Sequence, residues 1–242
     1  MIRSSNPVFN ESLMRGAYAS SRDDVMTIEG TINKTFVATM ICAGMAYVAW
    51  VNPAFRVMVL PAVIAAFIVG IVLTFNVKWA PVLTPVYAAC EGVLLGSISS
   101  MYEMAYSGIV VQAVLCTFGT LFAMLAVYRS GWIQVNDKLR AGLMTAMLSI
   151  CGIYFVSFIL GLFGMNMGFL YGSGLLSIGF SIVVIGVAAF SLLLDFDFIE
   201  RASNSGSAPK YMEWYGAFGL LVTLVWVYIE VLRLLSKLRS ER

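Results

Sequence analysis

The stretch that decides the fold is Gly174–Glu200, GLLSIGFSIVVIGVAAFSLLLDFDFIE. Its first 21 residues carry no charge, and a helix of about 20 apolar residues crosses the hydrocarbon core of a bilayer. Three carboxylates then follow within six residues: Asp195, Asp197 and Glu200. The run therefore predicts a transmembrane helix that ends in an unusual concentration of acids.

The composition of the whole chain agrees with a membrane protein. Of its 242 residues, 60% are hydrophobic and 12% charged, whereas a soluble domain has about 25% charged residues. The chain has no histidine, which removes the side chain that most often switches charge near neutral pH. Its four cysteines fall singly in separate apolar runs, which argues against a disulfide framework and a zinc site. We expect no cofactor and no nucleic-acid partner.

Seven apolar runs are long enough to span the bilayer, and short connections join them. They predict an all-α integral membrane protein with a polar N-terminal arm at 1–34, a membrane domain at 35–236 and a basic tail at 237–242. The arm has no apolar core with a small-residue cleavage site, so we expect no removable signal peptide. The predicted spans are Thr35–Val51, Val57–Phe75, Ala80–Met101, Gly108–Tyr128, Ala141–Phe163, Gly174–Leu194 and Trp214–Leu235.

The basic residues favour a cytoplasmic N-terminus. With that orientation, ten of the 15 lysines and arginines lie on the cytoplasmic side, as the positive-inside rule requires. The basic tail then lies on the opposite side of the membrane. A re-entrant last segment would return it to the cytoplasm; seven full spans are the preferred interpretation.

An acidic residue lies near the middle of the third span. A charge at the centre of a membrane helix costs about 2.5–3.5 kcal/mol, so Glu91 is expected to be protonated, paired or in contact with an aqueous cavity. We interpret it as a pore or buried acid, and a protonated carboxyl bonded to a neighbouring helix is the alternative. Gly92 and Gly96 follow it with the spacing that lets membrane helices approach closely.

The acids of the sixth span are predicted to point to different faces. Side chains two positions apart on a helix do not meet, so Asp197 can contact Glu200 and Arg201 while Asp195 points elsewhere. Burial and the negative end of the helix dipole both disfavour an ionised carboxylate at Asp195. The sequence therefore predicts that Asp195 exchanges a proton near neutral pH, whereas Glu200 is expected to be a solvated helix end.

The last span adds two acidic candidates. A simple hairpin between the last two spans places Glu213 at about the depth of Asp197. Glu230 lies about 24 Å further along, at 1.5 Å per residue, and Arg233 is close enough in sequence to neutralise it. The sequence alone does not choose between Glu213 and Glu230 as a partner of Asp195.

Three of these segments, in this order, resemble motifs of the Bax inhibitor-1 family, also called the transmembrane Bax-inhibitor-motif family, and most closely its bacterial branch. Ala89–Gly96 is similar to the glutamate-glycine signature of the third span, and Leu194–Ile199 to the end of the sixth span. Val227–Leu235 resembles the motif of the last span. The chain differs from the family in having Phe196-Asp197 where a threonine-glutamine pair is usual.

The resemblance implies a seven-helix bundle with a central last helix in a bacterial inner membrane. It also implies a pair of carboxylates whose shared proton governs a pH-sensitive calcium leak. Asp195 matches the first acid and Glu230 the second, although Glu230 is about ten residues further from Asp195 than the family spacing. Glu213 therefore stays a candidate for the second position.

These observations predict a calcium or cation leak channel gated by protonation of paired carboxylates. Asp195, Glu230, Asp197 and Glu213 are the predicted gating acids. Calcium is the expected permeant ion or ligand because it prefers carboxylate and carbonyl oxygens, and Asp195 and Glu213 are its candidate ligands. The alternative is a non-conducting regulator that binds membrane proteins such as proteases or stress and death regulators.

We do not expect an enzyme. The chain has no Gly-x-Gly-Asp motif of the kind used by intramembrane aspartyl proteases. A retinal-binding pump is also disfavoured, because the last span has no lysine before Lys237 at its edge.

Overall fold

A computed structural model describes residues 25–165, 168–172 and 174–240 of the chain. Seven long helices form the fold, and each is long and apolar enough to cross a membrane. Two short 3-10 helices, Pro53–Met58 and Val77–Trp79, precede the second and third of them, and a single helical turn, Gly168–Tyr171, precedes the sixth. The prediction of an all-α seven-helix membrane protein is confirmed. The long helices are α1 (Ile28–Val51), α2 (Val59–Phe75), α3 (Ala80–Ala105), α4 (Ile109–Ser130), α5 (Asp137–Leu162), α6 (Leu175–Asn204) and α7 (Met212–Ser240).

The last helix lies at the centre of the bundle, as the family resemblance implied. Helix α7 packs against α1, α3, α4 and α6. In its most apolar stretch 56% of the residues are buried, against 17% in each of α1, α2, α4 and α5. Its 29 residues span about 43 Å at 1.5 Å per residue, enough for a full crossing rather than a re-entrant loop.

The outer helices expose large apolar side chains around the bundle. A soluble protein rarely exposes contiguous apolar patches of this extent, whereas lipid favours them. Examples on α1, α2, α4 and α5 are Phe36, Phe67, Phe122, Leu148 and Phe155, each more than half exposed.

Helices α1 and α3 approach each other closely at the predicted glycine pair. A Cβ atom on Gly92 would lie 2.4 Å from the backbone oxygen of Cys42, and one on Gly96 would lie 2.1 Å from that of Ala46. These distances are too short for a Cβ atom to lie beside a backbone atom. The two glycines therefore allow the backbone contact that the sequence predicted.

Helices α1 and α7 extend beyond the predicted bounds of the membrane domain, residues 35–236. Helix α1 begins at Ile28, capped by the Thr27 side chain, which accepts a hydrogen bond from the Gly30 amide. Residues 28–34 are therefore helical although they were assigned to the polar arm, and residues 1–24 of that arm lie outside the described part of the chain. Helix α7 continues to Ser240, so Lys237 belongs to a membrane helix and not to a tail.

Candidate functional site: acidic residues around the central helix

Asp195 faces a partly open cavity between α6 and α7. Helix α6 continues ten residues beyond the predicted span end at Leu194, so Asp195 is inside the helix. The Thr223 hydroxyl donates a 2.6 Å hydrogen bond to its Oδ2 atom. A cavity of about 250 Å³ lies beside the carboxylate and is also lined by Gly219 and by aromatic side chains of both helices. Among the described residues, no ion pair or hydrogen bond joins Asp195 to a charged group.

Asp197 is bound on another face of α6, as helical geometry predicted. Arg140 on α5 donates to its Oδ2 atom at 2.7 Å, and Arg201 on its own helix donates to Oδ1 at 2.8 Å. The predicted contact with Arg201 is confirmed. Two guanidinium groups thus neutralise Asp197, which ties α5 to α6 away from the cavity. The third acid, Glu200, is exposed and accepts a hydrogen bond from the Tyr128 hydroxyl.

Glu213 is completely buried and holds the chain segment that precedes α1. Its Oε1 atom accepts hydrogen bonds from the backbone amide and the hydroxyl of Thr27, at 2.9 and 2.8 Å. Its carboxylate also pairs with Lys34 on α1 and, at 3.4 Å, with Lys210. Both oxygens are therefore engaged by partners other than Asp195.

The segment that Glu213 holds lies across the connection between α6 and α7. The Met26 amide donates a 2.8 Å hydrogen bond to the Ala208 carbonyl, and Val25 pairs with Pro209 in an isolated antiparallel bridge. The Met26 side chain is 1% exposed. A Cβ on Gly216, which also lines the cavity, would lie 3.6 Å from the end of that side chain. Residues 25–27 thus close this end of the bundle next to the cavity.

Glu230 lies in a separate polar cluster deeper along α7. Its Oε1 atom accepts hydrogen bonds from the Tyr154 hydroxyl at 2.8 Å and from Arg233 at 2.7 Å, so the predicted contact with Arg233 is confirmed. Its Oε2 atom is buried and without a partner among the described residues. Glu230 is seven positions, or about 10 Å along the helix axis, beyond the threonine that binds Asp195.

The structure therefore does not bring together the carboxylates that the sequence paired. Each of the three acids has a different set of partners, because Asp195 bonds to Thr223, Glu213 to residues at the start of α1, and Glu230 to α5. The expected carboxyl–carboxyl contact of Asp195 with either Glu230 or Glu213 is not formed. Along the axis of α7, Glu213 and Glu230 instead lie on opposite sides of the position that contacts Asp195.

Glu91 is buried where α1, α3 and α7 meet. It is 8% exposed, and its Oε2 atom has no partner among the described residues. The Tyr87 side chain lies one turn earlier on the same helix. The ring of Tyr87 meets that of Phe218 edge to face, with centroids 4.9 Å apart, and Phe218 lines the Asp195 cavity. This ring contact joins the part of α3 that carries Glu91 to the wall of the cavity.

The described residues do not form a resident calcium site. They contain no group of three or more histidine, cysteine or acidic side chains able to hold a metal, whereas calcium takes six to eight oxygen ligands. The two predicted calcium ligands are apart, since Glu213 is neutralised by lysines and Asp195 is the cavity's single carboxylate.

Several residues of these clusters were not singled out from the sequence. Thr223 and Tyr154 are polar side chains inside apolar runs, and this was the only sign of them in the sequence. Their spacing does not indicate which residues they contact.

Lys237, which the sequence places at the edge of the last span, is 5% exposed. Its ammonium group donates to the carbonyls of Leu170 and Ser177 and to the Ser181 hydroxyl, at 2.8, 3.1 and 2.8 Å. This lysine anchors the end of α7 to the start of α6.

The fold and these clusters define a multi-pass α-helical membrane protein whose central helix is surrounded by buried acids. The chain belongs to the Bax inhibitor 1 like family, whose model matches residues 6–240. The predicted membership of this family is thus confirmed over nearly the whole chain. Searches of curated proteins and of solved structures found no significant match.

Proposed function

We propose that the protein is a proton-modulated cation leak with calcium as a permeant ion, and that Asp195 is the group whose proton controls the leak. The observation that carries this proposal is the position of Asp195, which faces a cavity with one oxygen bonded to Thr223 and no charged partner among the described residues. The other acids of α6 and α7 are each neutralised or hydrogen-bonded elsewhere. The proposal includes no catalytic step.

A proton on Asp195 changes the free energy of a cation in the cavity by an amount large enough to control flux. Two unit charges 4 Å apart attract by about 4 kcal/mol at an effective dielectric constant of 20, and a divalent ion gains about twice as much. Protonation removes this attraction. A single carboxylate also suits permeation, because an ion must bind weakly enough to leave.

The proposed switch differs from the two carboxylates with a shared proton that the family resemblance implied. Thr223 bonds to Asp195 where the resemblance implied a second acid. The hydroxyl carries no charge, so the switch consists of one carboxyl group that is either ionised or neutral. In this proposal Glu91, one turn from the Tyr87 ring that contacts the cavity-lining Phe218, is the second acid available to a cation.

Calcium flux into liposomes tests the proposal. The purified protein is reconstituted with a calcium dye inside, and flux is measured from about pH 6 to about pH 8, where desolvated carboxyl groups exchange protons. Asp195→Asn imitates the protonated side chain, so its flux should equal the low-pH flux of the wild type at every pH. Glu29→Gln, at an exposed position outside the clusters, is the matched control and should keep the wild-type profile.

Two results would contradict the proposal. Flux that depends on pH equally in Asp195→Asn and the wild type would remove Asp195 from the switch. Liposomes that stay impermeable to calcium at every pH would instead favour the second candidate, a non-conducting regulator of other membrane proteins.

A further inference from the structure

The cavity beside Asp195 has an unusual combination of walls. Its lining consists of one carboxylate, two glycines and three aromatic rings, those of Phe198, Tyr215 and Phe218. The rings form a connected row, with centroids 6.0 Å apart between Phe198 and Tyr215 and 6.2 Å apart between Tyr215 and Phe218. No lysine or arginine contributes to this lining. The cavity is therefore a partly open pocket with aromatic walls and a single carboxyl group.

The glycine at position 219 keeps the carboxylate accessible. A Cβ atom there would lie 3.7 Å from Asp195 Oδ1 and would meet no other atom within 4 Å. A larger side chain would therefore extend into the space in front of that oxygen. The other oxygen, Oδ2, accepts the Thr223 hydrogen bond, which leaves Oδ1 facing the cavity.

These walls match an ammonium group better than a metal ion. Aromatic rings attract alkylammonium ions through their negative faces, and the interaction strengthens when the cation is desolvated. A carboxylate oxygen accepts a charge-assisted hydrogen bond from an N–H donor. Calcium would need several further oxygen ligands, which phenylalanine rings do not supply. A volume of about 250 Å³ is just below the range of about 300–1,000 Å³ for drug-sized ligands, so the ligand must be small.

The cavity lies near one membrane surface. Tyr215, Phe218 and Gly219 are within the first eight residues of α7, or about 12 Å from its start at 1.5 Å per residue. The bilayer with its headgroups is about 40–45 Å thick, close to the length of α7. If α7 crosses the full bilayer, the cavity is thus close to the boundary of headgroups and acyl chains, and Phe198, 39% exposed, is on the outer surface of the bundle.

We propose that this cavity binds a primary ammonium group on a short carbon skeleton, with Asp195 as its counter-ion and the aromatic row around its carbon atoms. Two sources offer this chemistry at that depth, the ethanolamine headgroup of a phospholipid and a free alkylamine. The proposal goes beyond the cation leak and does not depend on it, because binding is measured without flux.

Calorimetry with butylamine tests the site in phosphatidylcholine nanodiscs that contain the full chain. The wild type should bind butylamine saturably, and 1-butanol, which has the same skeleton without the charge, should show no saturable binding. Asp195→Asn should weaken butylamine at least about tenfold, which corresponds to about 1.4 kcal/mol. Gly219→Val fills the space before Oδ1 and should abolish binding, whereas Glu29→Gln should bind as the wild type does.

The outcomes separate the site from folding effects and the two sources from each other. Melting temperatures identify a variant that has merely unfolded, and Asp195→Asn tests the counter-ion without adding volume. If the headgroup is the ligand, replacing about a third of the phosphatidylcholine by phosphatidylethanolamine should weaken butylamine severalfold, and no change would assign the site to a free amine. Absence of saturable binding in the folded wild type, or equal binding by folded Asp195→Asn, would overturn the proposal.

Discussion

Replacing Gly96 by alanine should destabilise the bundle although alanine is the better helix former. The added Cβ would lie 2.1 Å from the Ala46 backbone oxygen and 2.8 Å from two further backbone atoms of the same residue. Ordinary contact begins at 3.4 Å, so the two helices must separate locally by about 1.3 Å, the difference of 3.4 and 2.1. Backbone atoms cannot rotate away as side chains can. The strain therefore falls on the α1–α3 interface.

The size of the effect follows from two opposing contributions. Overpacking of a close interface costs about 1–3 kcal/mol, and because the clash is with backbone we expect the upper part of that range. Exchanging glycine for alanine within a helix stabilises by up to about 1 kcal/mol. The net loss is then about 2 kcal/mol, or about 4–8 °C in melting temperature for a chain of this size.

Thermal unfolding in detergent, followed by tryptophan fluorescence, measures this loss. Gly44→Ala is the matched control, because Gly44 lies on α1 and a Cβ there meets nothing within 4 Å. Gly44→Ala should leave the melting temperature unchanged or raise it. If Gly96→Ala melts at the temperature of the wild type or above, the close contact of α1 and α3 does not exist in the folded protein.

Three further substitutions test the clusters around α7. Glu213→Gln removes the charge that Lys34 and Thr27 contact, so the free energy of unfolding should fall by about 2–3 kcal/mol. Hydrogen exchange at the Met26 and Thr27 amides should become faster, and unchanged exchange there would contradict the role of Glu213. Asp197→Asn loses two partly exposed ion pairs, and thermal unfolding should show a loss of stability of about 1–2 kcal/mol. The surface control Glu29→Gln should lose less than about 0.5 kcal/mol. Tyr154→Phe leaves Glu230 with Arg233 alone and should cost about 1–3 kcal/mol; a wild-type melting temperature would show that Tyr154 does not bond to Glu230.

Contacts within one helix could be predicted from the sequence. The pairs of Asp197 with Arg201 and of Glu230 with Arg233 are four and three positions apart, and helical geometry alone places such side chains together. The number of spans followed from the length of the apolar runs. The close approach at Gly92 and Gly96 followed from small residues one turn apart.

Contacts between helices could not be predicted in the same way. Thr223 and Asp195 are 28 positions apart, and Tyr154 and Glu230 are 76 apart. Which faces meet depends on the rotation and axial offset of each helix, and apolar side chains gain equally from lipid and from protein. Hydropathy therefore does not fix either quantity. The carboxyl pair expected from the resemblance failed to form because the axial offset of α6 and α7 places a threonine opposite Asp195.

The central claim is that the proton on Asp195 sets the leak, and infrared titration of that carboxyl group tests it most directly. The carbonyl stretch of a protonated acid that is present in the wild type and missing in Asp195→Asn reports the protonation of this side chain in reconstituted protein. We predict that, as the pH rises, this band disappears over the same pH interval in which calcium flux changes. A band that stays constant, or is absent throughout, while the flux of the same preparation changes with pH would contradict the account.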